Sequence, residues 1–157
     1  MSKPATHHTT FVIERSYAAP PARVFAAWAE PKAKAQWFGG PDDWDKSNHE
    51  LDFRVGGRES VSGGPPGEAV HAYSARYHDI VPNQRIVSSY EMHMDETLSS
   101  VSIATVELAP EGGGTRLVYT EQAVYVDGRD GTADRERGTR DLLDKLDAHL
   151  RRAVARG

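Results

Sequence analysis

Glu121 stands where a carboxylate is least at home. Within Thr115 to Val126 it alternates in phase with Leu117, Tyr119, Ala123 and Tyr125, so a strand here puts all five on one face. If that face looks inward, the carboxylate has to be paired or hydrogen-bonded, because stripping its water without compensation is costly. Two roles fit. Burial favours the protonated form of a carboxyl group, which suits a general acid or base. An arginine beside it, with Arg54, Arg76 and Arg137 as candidates, would instead make it half of a structural ion pair.

The other reactive side chains offer less. Seven histidines are scattered along the chain, none in a helical i, i+4 pair. His71 and His78 lie on one strand at odd spacing, so they point to opposite faces. A metal would need long-range convergence of several ligands; we expect neither metal nor cofactor. His93 falls on the polar parity of its strand and reads as solvated. No serine sits in a G-x-S-x-G elbow, so no hydroxyl nucleophile is marked. Gly56-Gly57 and Gly112-Gly113-Gly114 lack a P-loop lysine and open no helix, so they read as hairpin turns. The chain has no cysteine, which excludes disulfides, zinc-thiolate sites, iron–sulfur clusters and thiol catalysis.

A wall for an apolar ligand is better represented. Trp37, Phe38, Phe53, Tyr73, Tyr90, Met92, Met94, Tyr119 and Leu142 are candidate lining residues, since aromatic and methionine side chains give an adaptable apolar surface. Core packing is the alternative for each. Tyr90, Met92 and Met94 share the parity of Ile86, which marks the apolar face of their strand. Gly138 is a further candidate: a glycine inside a helix costs about 1 kcal/mol against alanine, and it lies one turn before Leu142. Close approach to a strand, or an opening beside the helix, would account for it.

These side chains need elements to hold them. The last stretch, Thr132 to Ala155, carries Thr139, Leu142, Leu143, Leu146, Leu150, Ala153 and Val154 at helical spacing. Its other face holds Arg135, Glu136, Arg140, Asp141 and further charges, with the Asp134 to Arg137 run read as a solvated start and Thr132 or Asp134 as the cap. The stripe requires an apolar floor. Phe11 to Tyr17 reads as a first strand, followed by two short helices, one over Ala22 to Ala29 and one opened by Pro31 whose apolar edge includes Ala35, Trp37 and Phe38. From Asn48 the period becomes two: Leu51, Phe53 and Val55 predict a half-buried strand, with Leu51 and Val55 in the core. Strands follow over Arg58 to Ser62, Glu68 to Val81, Arg85 to Met94, Leu98 to Leu108 and Thr115 to Val126. In Leu98 to Leu108 the parity is ambiguous, because Val101 and Ile103 oppose Val106 and Leu108; a bulge or two buried faces would explain it. Short links make the sheet antiparallel, and the layout is α+β with helices on one side.

At 157 residues the chain is expected to be one domain, residues 1–157, with residues 1–9 a flexible polar arm. The net charge of -4 argues against nucleic acid or an anionic membrane as partner. No apolar run has membrane-spanning length and no secretory signal opens the chain, so no membrane insertion and a cytoplasmic location are expected.

Several short motifs carry a family likeness. They are Pro20-Pro21-Ala22-Arg23-Val24-Phe25 through Trp28, Lys34-Ala35-Gln36-Trp37-Phe38, and Phe53-Arg54-Val55-Gly56-Gly57-Arg58-Glu59. Asp79-Ile80-Val81-Pro82, Gly114-Thr115-Arg116-Leu117, Glu121-Gln122, Asp127-Gly128 and Gly138-Thr139 complete the series. In their order and spacing, Thr10 to about Ala153 resembles the helix-grip superfamily of START, Bet v 1 and polyketide cyclase-like domains. Within it, the sequence looks most like the branch named for the C-terminal domain of the activator of Hsp90 ATPase. That resemblance implies a seven-stranded curved antiparallel sheet wrapped round the C-terminal helix, with the two short helices between the first two strands. It also implies a pocket between sheet and helix. No segment before Phe11 corresponds to that activator's N-terminal domain, so stimulation of Hsp90 is not expected. The leading functional expectation is a domain that binds a small apolar or amphipathic molecule. The alternatives are a cyclase- or hydrolase-like enzyme with Glu121 as acid/base, and an interaction module that partners a chaperone or forms a homodimer.

Overall fold

The computed structural model describes residues 5–46 and 49–156, without the side chains of Lys46 and of residues 153–156. β1 (His7–Tyr17) leads into α1 (Pro21–Ala29) and α2 (Pro31–Ala35). Short β2 (Asp45–Lys46) and β3 (Glu50–Leu51) precede β4 (Arg58–Gly64), β5 (His71–Val81), β6 (Arg85–Met94), β7 (Thr97–Glu111) and β8 (Gly114–Tyr125). The chain closes with α3 (Thr132–Arg156). Seven strands lie side by side in the order β1-β8-β7-β6-β5-β4-β2, and the two-residue β3 pairs with β4 off that path. All pairings are antiparallel. The sheet curves round α3, and α1 and α2 close one end: an α+β helix-grip fold.

Local chemistry sets the boundaries. Pro21 and Pro31 occupy first helical positions, where no amide donor is required. Asn83 and Asp95 take the left-handed turn conformation at the ends of β5 and β6, with φ of 63° and 54°. The entry to α3 is held by Asp130, whose carboxylate accepts from the Thr132 amide and hydroxyl; neither Thr132 nor Asp134 is the cap. The core lies between the sheet and the helices, with Ile13, Val24, Leu117, Leu143 and Leu146 at most 1% exposed. The Tyr17 hydroxyl donates to the Leu143 carbonyl at 3.0 Å and ties α3 to β1.

The structure departs from the sequence expectations in several places. β1 begins at His7, because β8 continues to Tyr125 and offers partners that far; His7 to Thr9 therefore belong to the sheet, not to an arm. The expected start at Asn48 lies outside the described residues, and of the strand through Val55 only Glu50–Leu51 pairs. The chain turns too early for more: Arg54 N–H bonds Asp52 and Gly57 N–H bonds Arg54. Val55 is consequently 59% exposed, not core, while Leu51 packs against the core. α2 stops at Ala35, and Trp37 and Phe38 follow it. β7 carries no mid-strand parity change. Ser100, Ser102, Ala104, Val106 and Leu108 all face in, and Val101 and Ile103 face out at 38% and 45% exposure. Its register slips only between Met92 and His93 of the neighbouring β6. Ala153 and Val154 of the helical stripe lie outside the described side chains.

Candidate functional site

The middle of the sheet is built from small residues. In one row Ala75, Tyr90, Ser102 and Ala123 stand opposite one another across four strands; in the next, Tyr77, Ser88, Ala104 and Glu121 do. Facing this floor, α3 presents Gly138, and a Cβ placed there would meet nothing within 4 Å. Between helix and sheet lies a cavity of about 830 Å³, bordered from these two rows by Tyr77, Ser88, Tyr90 and Ala104. Trp28, Trp37, Phe38, Tyr73, Tyr77, Tyr90, Tyr119 and Tyr125 supply aromatic walls, and Ile86, Met92, Val106 and Leu142 aliphatic ones. Phe38, Tyr73 and Tyr90 form a continuous run, with centroid separations of 5.0 and 4.9 Å.

Two buried carboxylates brace this cavity from behind. Glu121 is fully buried. It accepts from Tyr119 at 2.7 Å on one oxygen, and from Tyr90 at 2.7 Å, Ser102 at 3.0 Å and Arg135 at 3.2 Å on the other. Arg135 reaches in from the first turn of α3 and also donates to the hydroxyls of Tyr90 and Ser100, at 2.9 and 2.7 Å. Burial alone would lower its pKa; Tyr90 and Glu121 outweigh that and hold it above the ordinary value. Burial, with the charge of Glu121 added, raises the phenol pKa of Tyr90 and Tyr119, which therefore stay protonated as donors. Four donors on one carboxylate make Glu121 a fixed acceptor. It stands behind Tyr90 and Tyr119 and is not part of the cavity wall.

Glu59 on β4 is the second, at 1% exposure. Lys34 donates to it at 2.6 Å, Tyr77 at 2.7 Å, and His49 Nε2 lies 2.6 Å from its other oxygen. Burial pushes the Glu59 carboxyl up, but the Lys34 charge and the hydrogen bonds from His49, Lys34 and Tyr77 bring it down to about 2. Burial lowers the Lys34 pKa against the opposing pull of Glu59. The Lys34 ammonium also lies 4.4 Å from the Phe38 ring centre and 5.3 Å from that of Trp28, within cation–π range.

A family model described as "Activator of Hsp90 ATPase homolog 1-like protein" matches residues 18–151. The chain belongs to this family. No curated protein matches it. Among solved structures, an uncharacterized protein from Rhizobium leguminosarum is 45% identical, with a TM-score of 0.91 over 96% of this chain and 99% of that one. A protein from Rhizobium loti is 43% identical, with a TM-score of 0.86 over 92% and 99% of the two chains. CalU16 from Micromonospora echinospora shares the fold at 20% identity, with a TM-score of 0.63 over 98% and 88%. Membership of the Hsp90-activator-homologue family and this fold support ligand or protein binding in general. Among the described residues no helix is long and apolar enough to cross a membrane, and no three metal-binding side chains converge.

In this family member Trp37, Phe38, Tyr73, Tyr90, Met92, Tyr119, Gly138 and Leu142 all border the cavity. Met94 borders it only at the rim, 39% exposed, and His93 joins the rim half-buried; beside them the pairing with β7 slips by one residue, Ser99. Phe53 lies elsewhere, edge-on between Phe25 and Tyr77 at 5.6 and 5.0 Å. The arginine beside Glu121 is none of those expected: Arg54 pairs with Asp52 and Arg137 with Asp134, and Arg76 is exposed. Arg135, read as a solvated residue, fills that role, and the sequence held the signal. Arg135, Thr139, Leu142 and Leu146 follow i, i+4, i+7, i+11, which is the inner stripe. Lys34 and Glu59 were missed as well. Lys34 sits one turn before Phe38, and Glu59 is paired with inward-facing Ala75.

Proposed function

We propose that this protein binds a small apolar or amphipathic molecule in the cavity between its sheet and α3. The observation that carries the reading is a cavity of about 830 Å³ whose aromatic walls are held by two buried ion pairs. A pocket of a few hundred to about a thousand Å³, apolar with a few fixed polar groups, is the usual form of a small-molecule site. Trp37, Phe38, Tyr73, Tyr90, Met92, Tyr119 and Leu142 serve as its wall, Gly138 as the opening in its roof and Met94 as part of its rim. Glu121 acts through Tyr90, Tyr119 and Arg135, whose positions it fixes.

Native mass spectrometry of protein purified from its own host tests this. Retained small molecules are expected, and Gly138→Phe, which puts a ring into the cavity, should abolish their retention. Bare protein in every spectrum, together with no uptake of the amphipathic dye 1-anilinonaphthalene-8-sulfonate, would end the reading.

A further inference from the structure

We propose that the cavity selects an aromatic carboxylate and that Arg135 receives the carboxylate group. This rests on the ligand-binding reading above and names the class of ligand.

The inner wall is rich in groups that can only donate. Lys34 and Arg135 both border the cavity, and neither has a lone pair to offer when charged. Their carboxylate partners do not border it: Glu59 and Glu121 are 1% and 0% exposed and are filled by protein donors. An ammonium ligand would find carboxylates only among the water-exposed aspartates of the lining, none of them in the buried wall. An oxygen anion would find a cation at either end.

The two cations differ in what they have left. The Lys34 side chain is 3% exposed; its ammonium gives two of its three hydrogens to Glu59 and Tyr77 and lies 4.4 Å from the Phe38 ring centre. The Arg135 side chain is 17% exposed. Its Nη1 serves Tyr90, Ser102 and Glu121, and its Nη2 serves Ser100. The Nε hydrogen and the second hydrogen of Nη2 have no partner among the described residues. A carboxylate takes two guanidinium hydrogens at once, a geometry that lysine cannot reproduce. The guanidinium lies 5.5 and 5.3 Å from the ring centres of Tyr90 and Tyr125, so its plane is backed by aromatic surface. From Tyr90 the ring run through Tyr73 to Phe38 gives a planar ligand body edges and faces to pack against. Asp42, Asp127, Asp130, Asp134 and Asp141 also border the cavity, all exposed to water, where salt screens them far more than it screens Arg135.

A matched series decides it. Isothermal titration calorimetry with 2-naphthoate, 2-acetonaphthone and 2-naphthylmethylamine, in about 0.3 M salt to suppress the rim charges, varies only the polar group. Naphthoate should bind at least about tenfold more tightly than the amine, with the ketone between them. In the Arg135→Gln/Glu121→Gln double variant, which leaves no lone buried charge, the three should bind alike. Arg135→Lys should lose most of the preference while keeping the charge. Equal affinities on the unmodified protein overturn the inference and leave the cavity reading standing; no binding of any member overturns both. Preference persisting in the folded double variant removes Arg135 as the receiver. If neither variant folds, the unmodified protein alone still decides the ligand class.

Discussion

Glu59 and Glu121 pose the same physical problem and are answered differently. Each is almost wholly buried and each is met by one lysine or arginine; Tyr77 and His49 complete the shell of Glu59, and Tyr90, Tyr119 and Ser102 that of Glu121. Glu59 stands near the edge of the sheet, and its cation arrives from α2, sealed between the rings of Phe38 and Trp28. Glu121 stands in the middle of the sheet, and its cation arrives from α3 with one side still open. The first pair ties α2 to β4, near the edge of the sheet. The second fixes two tyrosines of a cavity wall and keeps a guanidinium in reach of a ligand. The same buried ion pair is a fastening where it is sealed and a fixture of the site where it is not.

The fastening should be the harder one to lose. Lys34→Met leaves Glu59 buried without its ammonium partner, and breaking a buried pair from one side costs about 3–5 kcal/mol. Chemical denaturation should show that loss, and the Lys34→Met/Glu59→Leu double variant should recover most of it, because both charges are then gone. A single variant as stable as the parent would mean that the pair is not the fastening described.

Acid gives a second measure of the same pair. The Glu59 carboxyl is held at about 2 against its ordinary 4.5. The unfolded chain therefore takes up this proton first as pH falls. The stabilisation is complete above about pH 4.5, declines between 4.5 and 2, and is gone below. Its size is on the order of 3 kcal/mol. Urea midpoints across that window should fall for the parent, and the part due to Glu59 should be missing in the Lys34→Met/Glu59→Leu variant. Identical slopes would show that Glu59 is not the group responsible.

The open pair should cost less to weaken. Glu121→Gln keeps the shape but gives Arg135 and the tyrosines a neutral acceptor, a loss of about 1.5–3 kcal/mol. Arg135 can turn its charge to water in a way Lys34 cannot. A loss larger than that of Lys34→Met would reverse the comparison.

The sequence made the frame plain and hid the joints. Leu142, Leu143, Leu146 and Leu150 repeat at helical spacing strongly enough to define α3, and in-phase Leu117, Tyr119, Glu121 and Tyr125 define the inner face of β8. Glu121 was visible because a charge interrupted an apolar parity. Arg135 was not, because a charged residue in the first turn of a helix is ordinary, and only its phase with Thr139 and Leu142 sets it apart. Val55 misled for the opposite reason: two residues of good alternation preceded a turn whose hydrogen bonds ended the strand. The cavity itself depends on which small residues fall opposite one another on separate strands. Ser88 and Ala104, both on the cavity wall, come together only through register, which period alone does not specify.

Gly138 offers the gentlest test, and it bears on the open side of the comparison. A glycine inside a helix gives up backbone entropy that alanine would not, about 0.5–1 kcal/mol. Here no neighbour forces that sacrifice, since a Cβ would meet nothing within 4 Å. Gly138→Ala should therefore raise the denaturation midpoint by an amount in that range. If the empty space beside Gly138 is occupied by ligand, the same methyl group should weaken binding while it strengthens the fold. Opposite signs in the two measurements would tie the glycine to the site. A gain in stability with unchanged affinity would place the ligand deeper, against Arg135 and Tyr90, and away from the roof.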